Sequence, residues 1–226
     1  MGMGLISTIQ VSKGVVTAGI VMGLAATIAS LAIPVKLFGE ARRASALTSA
    51  STPLTAATPA GFTDDGEGVR STPYGPLTAI DRDFVRRVKL AGLWEGPAGQ
   101  QAQQTSRTAQ VKVAGEHMVD GHNSLNVADA LAAQLLKVDR MPTEPTSEQK
   151  DWLAQIRSAP ADRFDPLFVN LTREAHGKVF QVLAYTRAHT QNSQVRQLAE
   201  VADKTVRDHM DMLEKTQLWK PAEEAK

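Results

Sequence analysis

From residue 77 onward, apolar side chains recur every three or four positions, which is the spacing of one face of an α-helix. The first run follows Thr78 and Asp81, a pair that can form a capping box at a helix start. Gly96 and Pro97 should kink this helix, because proline has no N–H and clashes with the preceding turn. The pattern therefore predicts a long first helix that is kinked and resumes to about Thr105.

Three more long helices and one short helix follow, delimited by residues typical of helix starts. Their expected extents are about 106–138 with Ser106 as cap, about 147–157, about 165–189 with Asp165 as cap and Pro166 at the first position, and a last helix from the cap Asn192. No stretch alternates apolar and polar residues as a half-buried strand would. The sequence thus predicts an all-α fold.

The spacing of these helices also predicts their connectivity. Short turns near Ser106 and Gln191 join two helix pairs, and a long connection that carries the short helix joins one pair to the other. This order is typical of an up-down four-helix bundle with ferritin-like connectivity and a short extra helix in the crossover. We expect the bundle to cover residues 77–220, followed by a tail at 221–226.

The N-terminus has a different pattern. Residues 14–35 carry no charge and would span about 33 Å as a helix, which is enough to cross a bilayer. We predict a single transmembrane helix at about 14–36 within an anchor at 1–43. A cleaved signal peptide is the alternative, because Ser30 and Ala32 have the spacing of a cleavage site. The apolar run continues past that point, which favours a retained anchor.

Two features bear on how the anchor would sit in the membrane. Lys36, Arg42 and Arg43 outnumber the positive charge before the helix, and a positive-inside count would place the following domain in the cytoplasm. Gly19 and Gly23 have GxxxG spacing, which permits close packing with another transmembrane helix.

Residues 44–76 are rich in Ala, Ser, Thr, Pro and Gly, so we expect a linker that holds the bundle away from the membrane.

Composition narrows the function classes. Lys and Arg total 25 against 24 Asp and Glu, so the chain offers no basic surface for nucleic acid. The absence of cysteine excludes disulfides, thiolate metal sites, iron–sulfur clusters and cysteine nucleophiles. Neither a serine elbow nor a glycine-rich phosphate loop occurs, so we expect no enzymatic activity.

Residues 83–218 resemble a bacterial ferritin-like family called domain of unknown function 4142, often described as outer membrane proteins. The matching features are Ala91 to Glu95, Met118 to His122, Phe164-Asp165 with His176 eleven residues later, and His209. One position departs from the family pattern, because Gly121 stands where the family commonly has Asp. The resemblance implies a bundle outside the cytoplasmic membrane, against the charge count, and implies no particular activity.

The polar residues of that set suggest a metal site. Glu95, His122, His176 and His209 occur one on each long helix, each near the middle of its helix, so they should meet at a common depth. One carboxylate and three imidazoles would suit zinc, copper, iron or manganese. The alternative is a metal-free cluster in which histidines hydrogen-bond a buried Glu.

A di-iron or ferritin centre is disfavoured by the neighbouring residues. Such centres need a Glu three residues before each of two histidines. The three positions concerned hold Val119, Arg173 and Val206.

Two functions remain open from the sequence. The first is a membrane-anchored, non-catalytic accessory or interaction protein on the periplasmic side of the cytoplasmic membrane, contacting other membrane or periplasmic proteins or forming a subunit of a larger membrane complex. The second is a metal-binding protein for storage, sensing or delivery that uses the Glu and three His residues.

Overall fold

The computed structural model describes residues 58–221, and over this range the protein is all-helical with five helices. They are α1 (Ala79–Thr105), α2 (Ala109–Leu136), α3 (Ser147–Ser158), α4 (Phe164–His189) and α5 (Ser193–Lys215). The predicted membrane helix at about 14–36 and the first part of the predicted linker lie outside the described residues. Within 58–221, no helix combines the length and the apolar character needed to cross a membrane.

Helix ends match the sequence pattern at two places. Thr78 is the N-cap of α1 and forms a capping box with Asp81. Asn192 is the N-cap of α5, where its side chain accepts hydrogen bonds from two backbone N–H groups. α1 continues through Pro97 without a break and ends at Thr105, which is the end predicted for the first helix.

Two predicted caps are also wrong. Ser106 is the C-cap of α1, and Thr108 is the N-cap of α2. The Ser106 hydroxyl still accepts a hydrogen bond of 3.0 Å from the Thr108 N–H, so it stabilises the turn rather than the helix start. Asp165 lies in the first turn of α4, whose N-cap is Arg163. Its carboxylate accepts a 2.5 Å hydrogen bond from the Thr108 hydroxyl and joins the starts of α2 and α4.

The four long helices pack in a closed ring. α1 contacts α2, α2 contacts α5, α5 contacts α4, and α4 contacts α1. The α1–α2 and α4–α5 connections each have three residues, whereas α3 lies in the long connection between α2 and α4 and packs on α1 and α4. This arrangement is a helical bundle with its core inside the ring.

The core consists of two apolar clusters. One contains Phe84, Leu125, Leu183 and Ala202, among others. The other contains Trp94, Met118, Ala175 and Leu213, among others. On α2, α4 and α5, the single histidine predicted for the site lies between a residue of one cluster and a residue of the other. A polar layer therefore separates two apolar ones.

α1 and α2 approach each other closely at a pair of glycines. A Cβ atom on Gly99 would lie 2.6 Å from the Gly115 carbonyl oxygen, and a Cβ on Gly115 would lie 2.6 Å from the Gly99 carbonyl oxygen. Real side chains do not tolerate such contacts with backbone atoms. We call this close approach the glycine seam.

Residues 64–77 precede α1 and are held against the bundle by polar contacts, and we call them the docked segment. Arg82 is fully buried, and its guanidinium binds both Asp65 carboxylate oxygens at 2.7 and 2.5 Å. Arg70 pairs with Leu77 through two backbone hydrogen bonds and donates from Nη2 to the Leu136 carbonyl at 2.7 Å. These contacts fix part of the predicted linker to the ends of α1 and α2.

Candidate metal centre

Glu95, His122, His176 and His209 lie together in the bundle interior, and we call them the Glu/His cluster. They are contributed by α1, α2, α4 and α5 and are only 2%, 4%, 1% and 1% exposed. Each residue offers one ligand atom, and these four atoms all lie within 4.8 Å of one another. The structure therefore brings together all four residues singled out from the sequence.

Glu95 is at the centre of the cluster. Its Oε2 atom lies 2.7 Å from His122 Nε2 and 3.0 Å from His176 Nε2. Because an ionised carboxylate only accepts hydrogen bonds, each of these contacts requires the imidazole nitrogen to carry the hydrogen. His176 Nε2 also lies 3.0 Å from His209 Nδ1, which links the fourth residue to the other three.

Backbone carbonyls hold the outer nitrogens of two histidines. His176 Nδ1 donates to the Thr172 carbonyl at 2.7 Å, and His209 Nε2 donates to the His117 carbonyl at 3.1 Å. A carbonyl only accepts, so these nitrogens carry the hydrogen. The other nitrogen of a neutral His209 then presents a lone pair toward the cluster, whereas His176 Nε2 would do so only after losing the hydrogen that faces Glu95.

The charges within the cluster follow from burial and proximity. Burial alone raises the pKa of Glu95, but His176 and His122 outweigh burial and hold it well below its usual range. Burial lowers the pKa of His176, yet the adjacent Glu95 carboxylate outweighs burial and raises it. Burial, together with the charges on His176 and His122, lowers the pKa of His209 to about 3. Both nitrogens of His176 contact acceptors, the Thr172 carbonyl and the Glu95 carboxylate, so without a metal the cluster contains a Glu95 carboxylate, a His176 cation and a neutral His209.

One nitrogen of His122 has no hydrogen-bond partner in the described part of the chain. Its Nε2 faces Glu95, whereas no atom of residues 58–221 hydrogen-bonds its buried Nδ1. A buried polar atom in this state is costly unless a bound molecule satisfies it.

The dimensions of the cluster are close to those of a four-coordinate metal site. Zinc–nitrogen and zinc–oxygen distances of about 2.0–2.1 Å place neighbouring ligands of a tetrahedron roughly 3.4 Å apart. The ligand atoms in contact here are 2.7–3.0 Å apart. The atoms in contact would have to separate by about 0.4–0.7 Å. The other pairs, which lie within 4.8 Å of one another, would have to approach that same spacing. With these shifts the group could hold a metal ion.

The position of His209 depends on Gly121, which sequence reasoning noted only as a departure from a pattern. A Cβ atom on Gly121 would overlap His209 Nε2 and come within 3.0 Å of the Thr205 side chain. The missing side chain therefore makes room for the imidazole where α5 crosses α2. The unusual glycine directly before His122 was the only signal of this role in the sequence.

The family model described as Domain of unknown function (DUF4142) matches residues 69–216. The chain belongs to the DUF4142 family. The resemblance inferred from the sequence is thereby confirmed at the level of the family. No curated protein and no solved structure gives a significant match to the chain.

The matched part of this DUF4142 protein contains all five helices. It begins within the docked segment and extends one residue past the end of α5. All four members of the Glu/His cluster and Gly121 fall inside it. The family region and the unit that surrounds the cluster are thus nearly the same stretch of chain.

Proposed function

We propose that this DUF4142 protein binds one first-row transition metal ion through Glu95, His122, His176 and His209. The observation that carries the proposal is the orientation of His176 and His209. Each has its outer nitrogen on a backbone carbonyl and its inner nitrogen directed at the cluster, as in most protein metal sites with histidine ligands. The metal ion would displace the hydrogen that His176 Nε2 shares with Glu95. Storage, sensing or delivery of the metal would follow from such a site.

The donor set favours zinc, copper, iron or manganese as the bound ion. Three imidazoles and one carboxylate suit these metals, whereas calcium and magnesium prefer oxygen ligands alone. The cluster contributes a single carboxylate, which does not support a carboxylate-bridged di-iron centre.

Metal loading tests the proposal directly. The 226-residue protein is stripped with a chelator, titrated with Zn²⁺ or Co²⁺, and analysed by mass spectrometry for metal content. We expect one ion per chain, with a Co²⁺ visible spectrum typical of four-coordination. At 100 times Kd the ion should add about 2.7 kcal/mol to the free energy of unfolding. This gain corresponds to a rise of roughly 5–11 °C in Tm.

Variants of the ligands and a matched control complete the test. Glu95→Gln and His209→Ala should each weaken binding by more than the roughly 10–100-fold that changes around the ligands cost. His189→Ala is the control, because His189 is exposed at the end of α4 and bonds only the Tyr185 carbonyl at 2.8 Å. Sub-stoichiometric metal in the wild type, or equal metal in all variants, would show that the cluster is a metal-free hydrogen-bonded core.

The wider setting is proposed on the remaining sequence features. The long connection between α2 and α4 and the ring of helix contacts support ferritin-like connectivity. The uncharged run at 14–35 supports a single-pass anchor with the bundle on the periplasmic side and a non-catalytic role beside other membrane or periplasmic proteins. Protease added after permeabilisation of the outer membrane should then cleave the linker, and protection of the linker would contradict this topology.

A further inference from the structure

A cavity of about 360 Å³ adjoins the Glu/His cluster. Most of its walls come from α1 and α4, and the first turns of α3 close one side. All four cluster residues line it, together with apolar side chains such as Val88, Ala91, Leu125, Val179 and Leu183. Its volume falls in the range of pockets that hold small organic ligands.

The cavity connects the surface with the buried cluster. Its lining includes the exposed residues Thr63, Glu148 and Lys178 as well as the nearly inaccessible His176 and Glu95. A small molecule could therefore enter between α1 and α4 and reach the cluster without unfolding of a helix.

Aromatic rings shape the part of the cavity near the cluster. Trp94 on α1 and Trp152 on α3 both line it and form an edge-to-face pair with ring centroids 5.0 Å apart. Phe84 lines it further along α1. Flat aromatic ligands pack well against such walls through stacked or edge-to-face contacts.

The two cations at the rim have carboxylate partners. Arg87 Nε lies 2.7 Å from Asp83 Oδ2, and Lys178 Nζ lies 3.1 Å from Glu174 Oε1. Both cations already have carboxylate partners, so the rim does not favour an anionic ligand. An uncharged ligand fits this lining better.

His122 offers one hydrogen-bonding atom for a polar group of a ligand. His122 lines the cavity, and its buried Nδ1 has no hydrogen-bond partner within residues 58–221. A hydroxyl group can donate to this nitrogen when Nε2 carries the hydrogen. It can accept from Nδ1–H when Nε2 is bound to a metal.

From these observations we propose that the cavity is a binding site for one small, uncharged and mainly aromatic molecule that carries a hydroxyl group, the size of a one- or two-ring phenol. The hydroxyl group hydrogen-bonds His122 Nδ1, and the rings pack between α1 and α4. A role of this molecule as a partner of the bound metal rests on the proposed function above. Binding of the molecule itself does not.

Binding of 2-naphthol to the metal-stripped 226-residue protein tests the inference, with calorimetry and tryptophan fluorescence as readouts. We expect one molecule per chain with a Kd on the order of 0.1 mM, and quenching from Trp94 and Trp152. 2-Methylnaphthalene has nearly the same shape without the hydroxyl group, so it should bind about threefold to tenfold more weakly. In His122→Phe this preference for 2-naphthol should disappear.

The same Val→Phe substitution made at two positions distinguishes binding in the cavity from adsorption on the surface. Val179→Phe fills the cavity and should weaken 2-naphthol binding at least tenfold. Val127→Phe is the control, because Val127 is 72% exposed and is not part of the lining. Ala91→Leu intrudes less and replaces Val179→Phe if circular dichroism shows that the larger side chain disturbs the fold.

The outcomes distinguish this inference from the metal proposal. Naphthol binding by a protein that takes up no metal would support the cavity site and contradict the proposed metal centre. Metal binding without any naphthol signal at 1 mM would do the opposite. Equal naphthol binding by wild type and the cavity-filling variants would overturn the assignment of the ligand to this cavity.

Discussion

Two glycines next to members of the Glu/His cluster differ in the space around them. A Cβ on Gly121 would overlap His209, whereas a Cβ on Gly96, beside Glu95 in α1, would meet no atom within 4 Å. Gly121→Ala should therefore displace His209 and weaken metal binding by roughly 10–100-fold. Gly96→Ala should leave binding unchanged and stabilise the fold by about 0.5–1 kcal/mol.

Calorimetric metal titration and urea unfolding of both variants check this pair. A purely structural effect of Gly121→Ala would lower stability and leave the metal affinity per folded molecule intact, which would contradict a positioning role for this glycine. Equal behaviour of the two alanine variants would likewise contradict it.

A second buried carboxyl group lies outside the cluster. Asp129 on α2 is 1% exposed, and its Oδ1 has no partner within residues 58–221. Burial raises the pKa of Asp129 from 3.8 to about 7, although Lys89 acts in the opposite direction. Between these two values the folded protein keeps a proton that the unfolded chain has lost, so stability should fall as pH rises through this range.

Asp129→Asn removes this ionisation and should stabilise the protein more at pH 8 than at pH 5, by a difference of about 1–3 kcal/mol. Urea unfolding at the two pH values measures the difference. Asp120→Asn is the matched control, since Asp120 is an exposed carboxylate on the same helix. A gain independent of pH would show that the carboxyl group does not titrate there.

The four cluster residues could be found from the sequence because depth along a bundle follows from residue position. Each lies near the middle of a long helix, so a count of residues from the connecting turns predicts a common level. The partner of each imidazole could not be found in this way. The carbonyls of Thr172 and His117 and the space at Gly121 depend on how neighbouring helices cross, which periodicity does not report.

At the scale of elements, Asn192 joins a helix start to the docked segment. Its Oδ1 accepts from the Gln194 and Val195 N–H groups, and its Nδ2 donates to Thr72 Oγ1 and the Gly75 carbonyl at 3.2 and 3.1 Å. Asn192→Ala should cost about 2–3 kcal/mol, because it removes a cap and leaves buried partners unsatisfied.

Two further variants show which contacts of Asn192 account for the loss of stability. Asn192→Asp keeps the capping oxygen but lacks the amide donor, so its cost reports the contacts to the docked segment. Thr146→Ala removes the exposed capping box of α3 and should cost only about 1 kcal/mol. Thermal and urea unfolding give the values, and equal losses for Asn192→Ala and Thr146→Ala would contradict the second role of Asn192.

Helix extents were predictable where a cap and the apolar period agreed, as at Thr78 and Asn192. Ser106 and Asp165 have the right residue types for N-caps but serve other polar groups, a turn N–H and the Thr108 hydroxyl. Residue type identifies a side chain able to cap. Which group it reaches depends on the local turn at Ser106 and on the contact between the starts of α2 and α4 at Asp165.

For the whole molecule, the ion pair between Arg82 and Asp65 should be a main determinant of stability. The Arg82 side chain is fully buried and also donates to the Leu77 and Gly68 carbonyls. Asp65→Ala would leave this charge without its main partner and should cost about 3–5 kcal/mol. Asp65→Ala combined with Arg82→Leu should cost less than Asp65→Ala alone, which a double-mutant cycle by urea unfolding measures.

The same pair predicts sensitivity to acid. The hydrogen bond from Arg82 holds the pKa of Asp65 well below its ordinary value of 3.8. Its stabilising effect is therefore complete above that value and is lost as pH falls below it. Arg82→Leu with Asp65→Ala should show a shallower loss of stability below pH 4. Parallel curves for this double variant and the wild type would contradict the assignment.

Neither the docked segment nor the cavity could be predicted from the hydrophobic pattern. Residues 64–77 contain few large apolar side chains, and they are held by an ion pair and backbone hydrogen bonds. The cavity is space that α1 and α4 fail to fill, and its existence depends on the packing of side chains from all five helices.

The glycine seam fixes the distance between α1 and α2 near the Glu/His cluster. Gly99 lies one turn beyond Glu95 on α1, and Gly115 lies two turns before His122 on α2, so the backbone contact sets the separation of the carboxylate and the imidazole. A side chain at either glycine would push α1 and α2 apart and change the relative positions of Glu95 and His122. Residues outside the Glu/His cluster would in this way change the affinity for the proposed metal ion.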